Sequence, residues 1–241
     1  NGELCRHLSK PRNIDWDQLV RFGRYLRGRM RVVTEFNYQK DWKIMDVWSD
    51  TDHAGCLETR KSTSGGVMIF GSHVIKQWAT TQGVVSLSSG EAEYYALVKA
   101  ASIAIGIQSL CADMGIEFEK SINIMTDASA AIRIASRIGV GKVRHIEVNQ
   151  LWLQAKIFDK TIQLTTVKGE VNLADALTKA VDANTLQWHI AAVGGEIMQG
   201  RHPLAPETDY GKEQFEDEEN EEIHEESNTC MKCCSKSHTT G

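Results

Sequence analysis

The sequence predicts an α/β protein built on a mixed five-stranded sheet, three antiparallel strands followed by two parallel ones, flanked by helices. Three observations predict it. Residues 42–50 adopt a period of two, with Ile44, Trp48 and Asp50 on one face and Met45 and Val47 on the other, as a strand buried on both sides requires. Residues 65–70 and 73–78, GGVMIF and HVIKQW, are joined by Gly71 and Ser72, which makes a tight hairpin. A long helix-competent run then separates these strands from the apolar segment SINIMT at 121–126, and strand, long helix, strand implies a right-handed crossover into parallel pairing.

The remaining elements follow in order. Residues 16–27, WDQLVRFGRYLR, place Leu19, Val20, Phe22 and Leu26 at helical spacing, with Asp15 as N-cap and Gly28 at the end. Residues 30–38 read as an extended connector or strand. From Ser88 the pattern Ser88-x-x-Glu91 is a capping box, and the helix it opens runs for more than five turns to Gly115. Residues 128–138 form a second helix, 139–144 a glycine- and lysine-rich break, 147–158 an amphipathic segment, and 161–167 an alternating strand. A last helix opens at 173–179 and is continued by 183–193.

With 241 residues, 41% hydrophobic and 24% charged, the chain can bury one core with attachments. Its net charge of -5 is unevenly spread: residues 206–241 hold 11 acidic residues against 3 lysines, leaving 24 basic and 21 acidic residues in 1–205. The body is mildly basic, which permits a nucleic-acid partner. No run of about 18 apolar residues occurs, the nearest being AASIAIGI at 100–107, and the N-terminus lacks a charged-then-apolar signal pattern. The expectation is a soluble intracellular protein, cytoplasmic or nuclear, neither secreted nor membrane-bound, and a piece of something longer, since no Met precedes Asn1. Cys5, Cys56 and Cys111 are scattered and read as reduced thiols. Cys230, Cys233, Cys234 and His238 lie in the tail, where adjacent cysteines suit one tetrahedral zinc site poorly and EDEENEEIHEE carries too little apolar surface to order the chain.

Four carboxylates fall at special places in this order of elements. Asp50 ends the first sheet strand, Glu93 lies in the first turn of the long helix, Asp127 ends the fourth strand and Asp175 begins the last helix. If the first and fourth strands are parallel neighbours, Asp50 and Asp127 come within one interstrand spacing, about 4.8 Å, at the strand ends where open α/β sheets hold ligands. Carboxylates so clustered repel unless a cation neutralises them. Mg2+, a hard ion preferring oxygen, suits them, with Mn2+ as a substitute. Two such ions roughly 3.5 to 4 Å apart can activate water and hold a scissile phosphate. Asp52 reads as a turn former, and Glu91 is a rival to Glu93 with a capping role of its own.

The series WSDTDHAG, RKSTSGGVMIFGSHVIKQWATTQ, SLSSGEAEYYAL, MTDASAAI, KVRHIE and NLADALTK, in that order, resembles the ribonuclease H domain of copia-type long-terminal-repeat retrotransposon polyproteins. RHLSKPRNIDWDQLVRFGRYLRG resembles the end of their reverse transcriptase and connection region. Together the matches cover roughly residues 3–179. The resemblance implies a ribonuclease H-like fold, hydrolysis of RNA within RNA:DNA hybrids, and a carboxylate set falling on Asp50, Glu93, Asp127 and Asp175. It implies as partners an RNA:DNA hybrid and the reverse transcriptase domain of the same polyprotein. It also implies a division into a reverse transcriptase/connection remnant at 1–41 and a ribonuclease H-like domain at 42–195, to which composition adds an acidic, disordered tail at 196–241. The loop VKGEVNLAD lacks the histidine that cellular enzymes of this type often carry there.

Arg60, Lys61 and Ser62, before the hairpin, and Lys142, Arg144 and His145, before the amphipathic segment, are candidate substrate contacts, because a hybrid is read largely through its backbone and 2′-hydroxyls. Trp48, Trp78, Tyr94 and Tyr95 read as core aromatics, and His53 and His73 as turn residues. The competing expectation is a degenerate domain that only binds hybrid or serves as a scaffold. An integrase-like nuclease core is disfavoured, because the third acid follows a strand and the glutamate opens the helix between them.

Overall fold

The computed structural model describes residues 4–5, 7–29, 31–40, 42–118, 121–139, 141, 145–146, 150–200 and 202–204. They fall into two compact units. One comprises Phe36–Ala180 with Ala192–Gly194; the other draws on Asn1–Glu35, Val181–Ala191 and Gly195–Gly241.

The larger unit holds the sheet. Its strands are β2 (Met45–Asp52), β3 (Thr63–Phe70), β4 (His73–Thr81), β5 (Ile122–Thr126) and β6 (Ile162–Thr166), and β1 (Arg31–Thr34) belongs to the smaller unit. Their order is β4-β3-β2-β5-β6, with β4, β3 and β2 antiparallel and β5 and β6 parallel to β2. This is the ribonuclease H-like arrangement that the resemblance implied. The hairpin pairs Phe70 with His73. Gly71 at φ 60° supplies the positive dihedral that a two-residue turn demands and Ser72 does not.

Helix α2 (Ser89–Asp113) packs over β2, β3 and β5. Ala92, Ala96, Ala100, Ala101 and Ala104 line its buried face, and such small side chains let a helix lie close on a sheet. Met45, Val47, Met68, Tyr94, Leu97, Ile122, Ile124, Leu153 and Ile162 complete that core. The same helix is long and apolar enough to cross a membrane by length and composition; here it is the core helix of a sheet protein. On the other face Val67, Ile69 and Leu173 form a smaller cluster with Trp48, Val74 and Leu177. Of the expected core aromatics, Tyr94 and Trp78 are buried, and Trp48 and Tyr95 partly so.

Helix α3 (Ser129–Ala135) is shorter than the sequence predicts. The buried amide of Gln154 ends it, donating to the carbonyls of Ile134 at 3.0 Å and Gly139 at 3.1 Å and accepting from the Gly139 amide at 2.8 Å. Gln154 lies on α4 (Trp152–Phe158), which begins later than the predicted segment at 147–158; residues 147–149 lie outside the described residues. A 3-10 turn, Gly169–Val171, leads to α5 (Asp175–Thr178), which is a single turn. The predicted continuation is a separate helix, because Lys179 turns extended at φ -122°, ψ 154°.

The smaller unit contains α1 (Asn13–Gly28), β1 (Arg31–Thr34), α6 (Ala183–Ala192) and β7 (Gly195–Met198). Arg12, rather than Asp15, is the N-cap of α1. Asp15 occupies the third helical position and accepts from the Arg12 amide at 2.8 Å and its guanidinium at 3.0 Å. β1 pairs antiparallel with β7, a strand that the sequence pattern did not suggest. Cys230, Cys233, Cys234 and His238 lie outside the described residues.

Candidate active site

The parallel pairing of β2 with β5 sets Asp46 opposite Asn123, Val47 opposite Ile124 and Trp48 opposite Met125. Two residues further on, that register brings Asp50 opposite Asp127 at the carboxyl ends of adjacent strands. Glu93 arrives from the first helical turns of α2, whose N-terminus is fixed by Ser88 Oγ accepting from the Glu91 amide at 3.2 Å. One carboxylate oxygen from each of Asp50, Glu93 and Asp127 lies within 4.8 Å of the others.

Asp50 is fully buried, whereas Glu93 and Asp127 are half-buried. Asp50 Oδ2 accepts from Thr178 Oγ1 on α5. Residue 65, its register partner on β3, is glycine for a steric reason: a Cβ there would lie 2.6 Å from Thr178 and 3.1 Å from Leu177. Asn172 pins the approach to α5, donating from Nδ2 to the Ser49 carbonyl at 3.1 Å and accepting at Oδ1 from the Ala174 amide at 3.2 Å. Lys179 Nζ lies 2.6 Å from Asp175 Oδ1 and 3.5 Å from Asp50 Oδ1. Asp175 therefore borders the cluster of three through a lysine.

The electrostatics follow from this packing. Burial drives the Asp50 pKa upward, outweighing the Thr178 hydrogen bond and the Lys179 charge. Burial, then the charges of Asp50 and Asp127, push Glu93 up to about 8. Burial opposes the charge on Lys179, but its bond to Asp175 and the Asp50 charge hold it up to about 12. Glu93 Oε2 is buried with no hydrogen-bond partner among the described residues. An orphaned buried oxygen amid like charges is costly, and a hard cation bound to oxygen ligands relieves it. The donor set fits a divalent cation.

The other sequence-predicted residues divide. Asp52 is a turn former, its Oδ1 accepting from the Thr63 amide. Arg60 is exposed at φ 54° and Lys61 half-buried, in a loop closed by the Arg60 amide on the Cys56 carbonyl at 2.7 Å. Ser62 is fully buried, which removes it from the candidate substrate contacts. Its hydroxyl accepts from the Ala54 amide at 3.0 Å and shapes the turn after Asp52. His145 is partly exposed, with Nε2 2.8 Å from Glu91 Oε2. That same oxygen accepts from the Leu87 amide at 2.9 Å, so Glu91 ties two segments to the start of α2 and closes only half of the predicted capping box. Lys142 and Arg144 lie outside the described residues.

Sequence reasoning missed Thr178, Lys179 and Asn172. For Lys179 a signal existed: it stands four residues after Asp175, and such a pair meets on one helical face.

No family model matches the chain. It is 27% identical over 187 residues to the retrovirus-related Pol polyprotein from transposon TNT 1-94 of Nicotiana tabacum, covering 77% of this chain and 14% of that relative. It is 26% identical over 187 residues to the corresponding polyprotein from transposon RE2 of Arabidopsis thaliana, covering 77% and 13%. The chain thus spans only about a seventh of these curated relatives. Among solved structures, the N-terminal RNase H domain of a Mycobacterium tuberculosis protein, determined as a fusion with maltose binding protein, aligns with 61% of this chain and 96% of that one, at 18% identity and a TM-score of 0.40.

Proposed function

We propose that this chain, a homologue of the retrovirus-related Pol polyproteins of plant copia-type transposons, carries a metal-dependent endoribonuclease that hydrolyses the RNA strand of RNA:DNA hybrids. One observation carries the reading: oxygens of Asp50, Glu93 and Asp127 within 4.8 Å of one another at the carboxyl ends of β2 and β5. The motif order and the sheet topology support it. The proposed catalytic body is 42–195, working beside the reverse transcriptase domain of the same polyprotein, with 1–41 contributed by the reverse transcriptase/connection region and 196–241 as an acidic appendage.

In this reading Asp50, Glu93, Asp127 and Asp175 would hold two divalent cations, Mg2+ or its substitute Mn2+, which would supply Lewis acidity at the scissile phosphate and a nucleophile at neutral pH. The side chains contribute position and charge. Asp50 is held from α5 by Thr178 at Oδ2, and its other oxygen lies 3.5 Å from Lys179 Nζ. Glu93 would have to give up its proton to hold a cation, since its high affinity for that proton comes from burial and the neighbouring aspartates. Lys179 balances part of the negative charge and keeps Asp175 at the edge of the cluster. Arg60 and Lys61 would meet phosphates rather than bases, in keeping with a substrate recognised by shape.

The test is incubation of the purified chain with a labelled RNA:DNA hybrid and Mg2+, alongside EDTA controls and matched all-RNA and all-DNA duplexes. Cleavage confined to the RNA of the hybrid, abolished by EDTA, is expected. Binding without cutting would favour a hybrid-binding scaffold instead.

A further inference from the structure

We propose that Gln82, just beyond β4, is a positioning residue that sets the spacing between Asp50 and Glu93. The inference rests on the nuclease reading of the carboxylate cluster. The Gln82 side chain is buried. Its Nε2 donates to the Ala92 carbonyl at 2.8 Å and to Ser64 Oγ at 3.0 Å, and lies 3.4 Å from Thr51 Oγ1. Its Oε1 accepts from Ser86 Oγ at 3.0 Å, and its main-chain amide donates to the Ser62 carbonyl at 2.8 Å. A carbonyl only accepts, so the bond to Ala92 fixes which end of the amide is nitrogen.

The partners give these bonds their meaning. Ala92 immediately precedes Glu93 on α2. Thr51 immediately follows Asp50 on β2, and Ser64 is the register partner of Thr51 on β3. One planar amide therefore bridges the chain neighbours of two cluster carboxylates that come from different elements. Thr51 is held on its other side as well, its hydroxyl donating to the Thr63 carbonyl at 2.8 Å.

Stability alone does not explain an amide here. A buried amide gives up its hydration, and its hydrogen bonds return only a small net gain, so apolar groups in place of the amide and of its Ser64 and Ser86 partners would serve a core equally well. What an apolar side chain lacks is direction. A fixed donor that reaches α2 and β3 together limits how far the helix slides over the sheet, and the cation site depends on that distance. Outer partners of this kind typically change metal affinity or activity by about 10- to 100-fold when removed.

Gln82→Met tests this in the full chain, because Gln82 borders an open cleft of about 390 Å³ between β4 and α2 that tolerates the substitution. The expected result is a hybrid-cleavage kcat lower by about 10- to 100-fold with KM within about threefold, and a weakened Kd for Mn2+ measured by calorimetry, while the circular dichroism spectrum is kept. A purely structural role would lower the melting temperature without weakening Mn2+ binding to the folded protein, and that outcome, or wild-type kcat and Mn2+ affinity, overturns the proposal. If Gln82→Met does not fold, Ser86→Ala carries the test: freeing Oε1 should weaken Mn2+ binding and kcat several-fold in the same direction, and unchanged values overturn it. Should the wild type bind Mn2+ but cut no hybrid, the nuclease reading fails by itself. The Mn2+ comparison between wild type and Gln82→Met still judges the positioning role.

Discussion

The cluster of three carboxylates and the acid on α5 occupy opposite electrostatic situations. Asp50, Glu93 and Asp127 face one another, and burial raises the pKa of both Asp50 and Glu93. Asp175 is 23% exposed and already has its counter-ion in Lys179, 2.6 Å away. The first group is frustrated without a cation and the second is satisfied. The difference teaches where a divalent ion would do the most thermodynamic work: on the sheet side, where charge is concentrated and, among the described residues, Lys179, 3.5 Å from Asp50, is the cation that answers it.

Asp50→Asn should show the largest effect, a loss of hybrid cleavage of more than about 10³-fold. Folding should be intact, because the amide oxygen still accepts from Thr178 while a buried carboxylate among acids is removed. Near-wild-type cleavage with Mg2+ would take Asp50 out of the site, and an unfolded variant, seen by circular dichroism, would show that its charge is structural.

Glu93→Gln should cost somewhat less activity, about 10²-fold or more, and has a second readout in pH. In the folded chain without divalent ions Glu93 keeps its proton up to about pH 8, against an ordinary glutamate value of 4.5. Between those values the folded state binds more protons than the unfolded one. The contribution of this group to stability is therefore greatest below about pH 4.5 and falls as pH rises toward 8. Asp50 shifts in the same direction. Urea midpoints measured in EDTA should fall from pH 5 to pH 8, saturating Mg2+ should flatten that slope, and Glu93→Gln should reduce it. An identical slope in the variant would mean that Glu93 does not titrate in this range.

The contrast between the two acid environments also separates what could be read in the sequence from what could not. Asp50 and Asp127 were legible because a strand-end position and a parallel crossover are local patterns whose spatial outcome is fixed by sheet geometry. Glu93 followed from the helix opened by Ser88. Ser62 was misread because a polar residue in a basic triplet gives no sign that its hydroxyl faces inward toward Ala54. Thr178 and Lys179 touch Asp50 across 128 and 129 residues, and Gln82 meets Thr51 across 31. Contacts at such separations exist only once the tertiary fold is formed, so no window of sequence contains them. The pairing of β1 with β7 was hidden for the same reason, with four-residue strands too short to show a period.

Lys179→Met sharpens the comparison further, since it removes a cation shared by both groups. It should weaken cleavage by about 10-fold and raise the Glu93 pKa, because the lysine charge is among the influences that lower it. The midpoint of the pH–activity profile should move to higher pH; an unmoved profile would mean that Lys179 acts on Asp175 alone.

The smallest effect belongs to Asp175→Asn. The amide keeps an oxygen for the Lys179 ammonium, so the ion pair becomes a hydrogen bond and the geometry of α5 persists. Its side chain is 23% exposed, so water compensates for much of the lost charge. Cleavage at saturating Mg2+ should fall by only about threefold, while the Mg2+ concentration needed for half-maximal rate rises by a larger factor. A loss as deep as that of Asp50→Asn would erase the distinction between frustrated and satisfied acids and make Asp175 an equal member of the cluster. An unchanged Mg2+ requirement would make it a clamp for Lys179 alone.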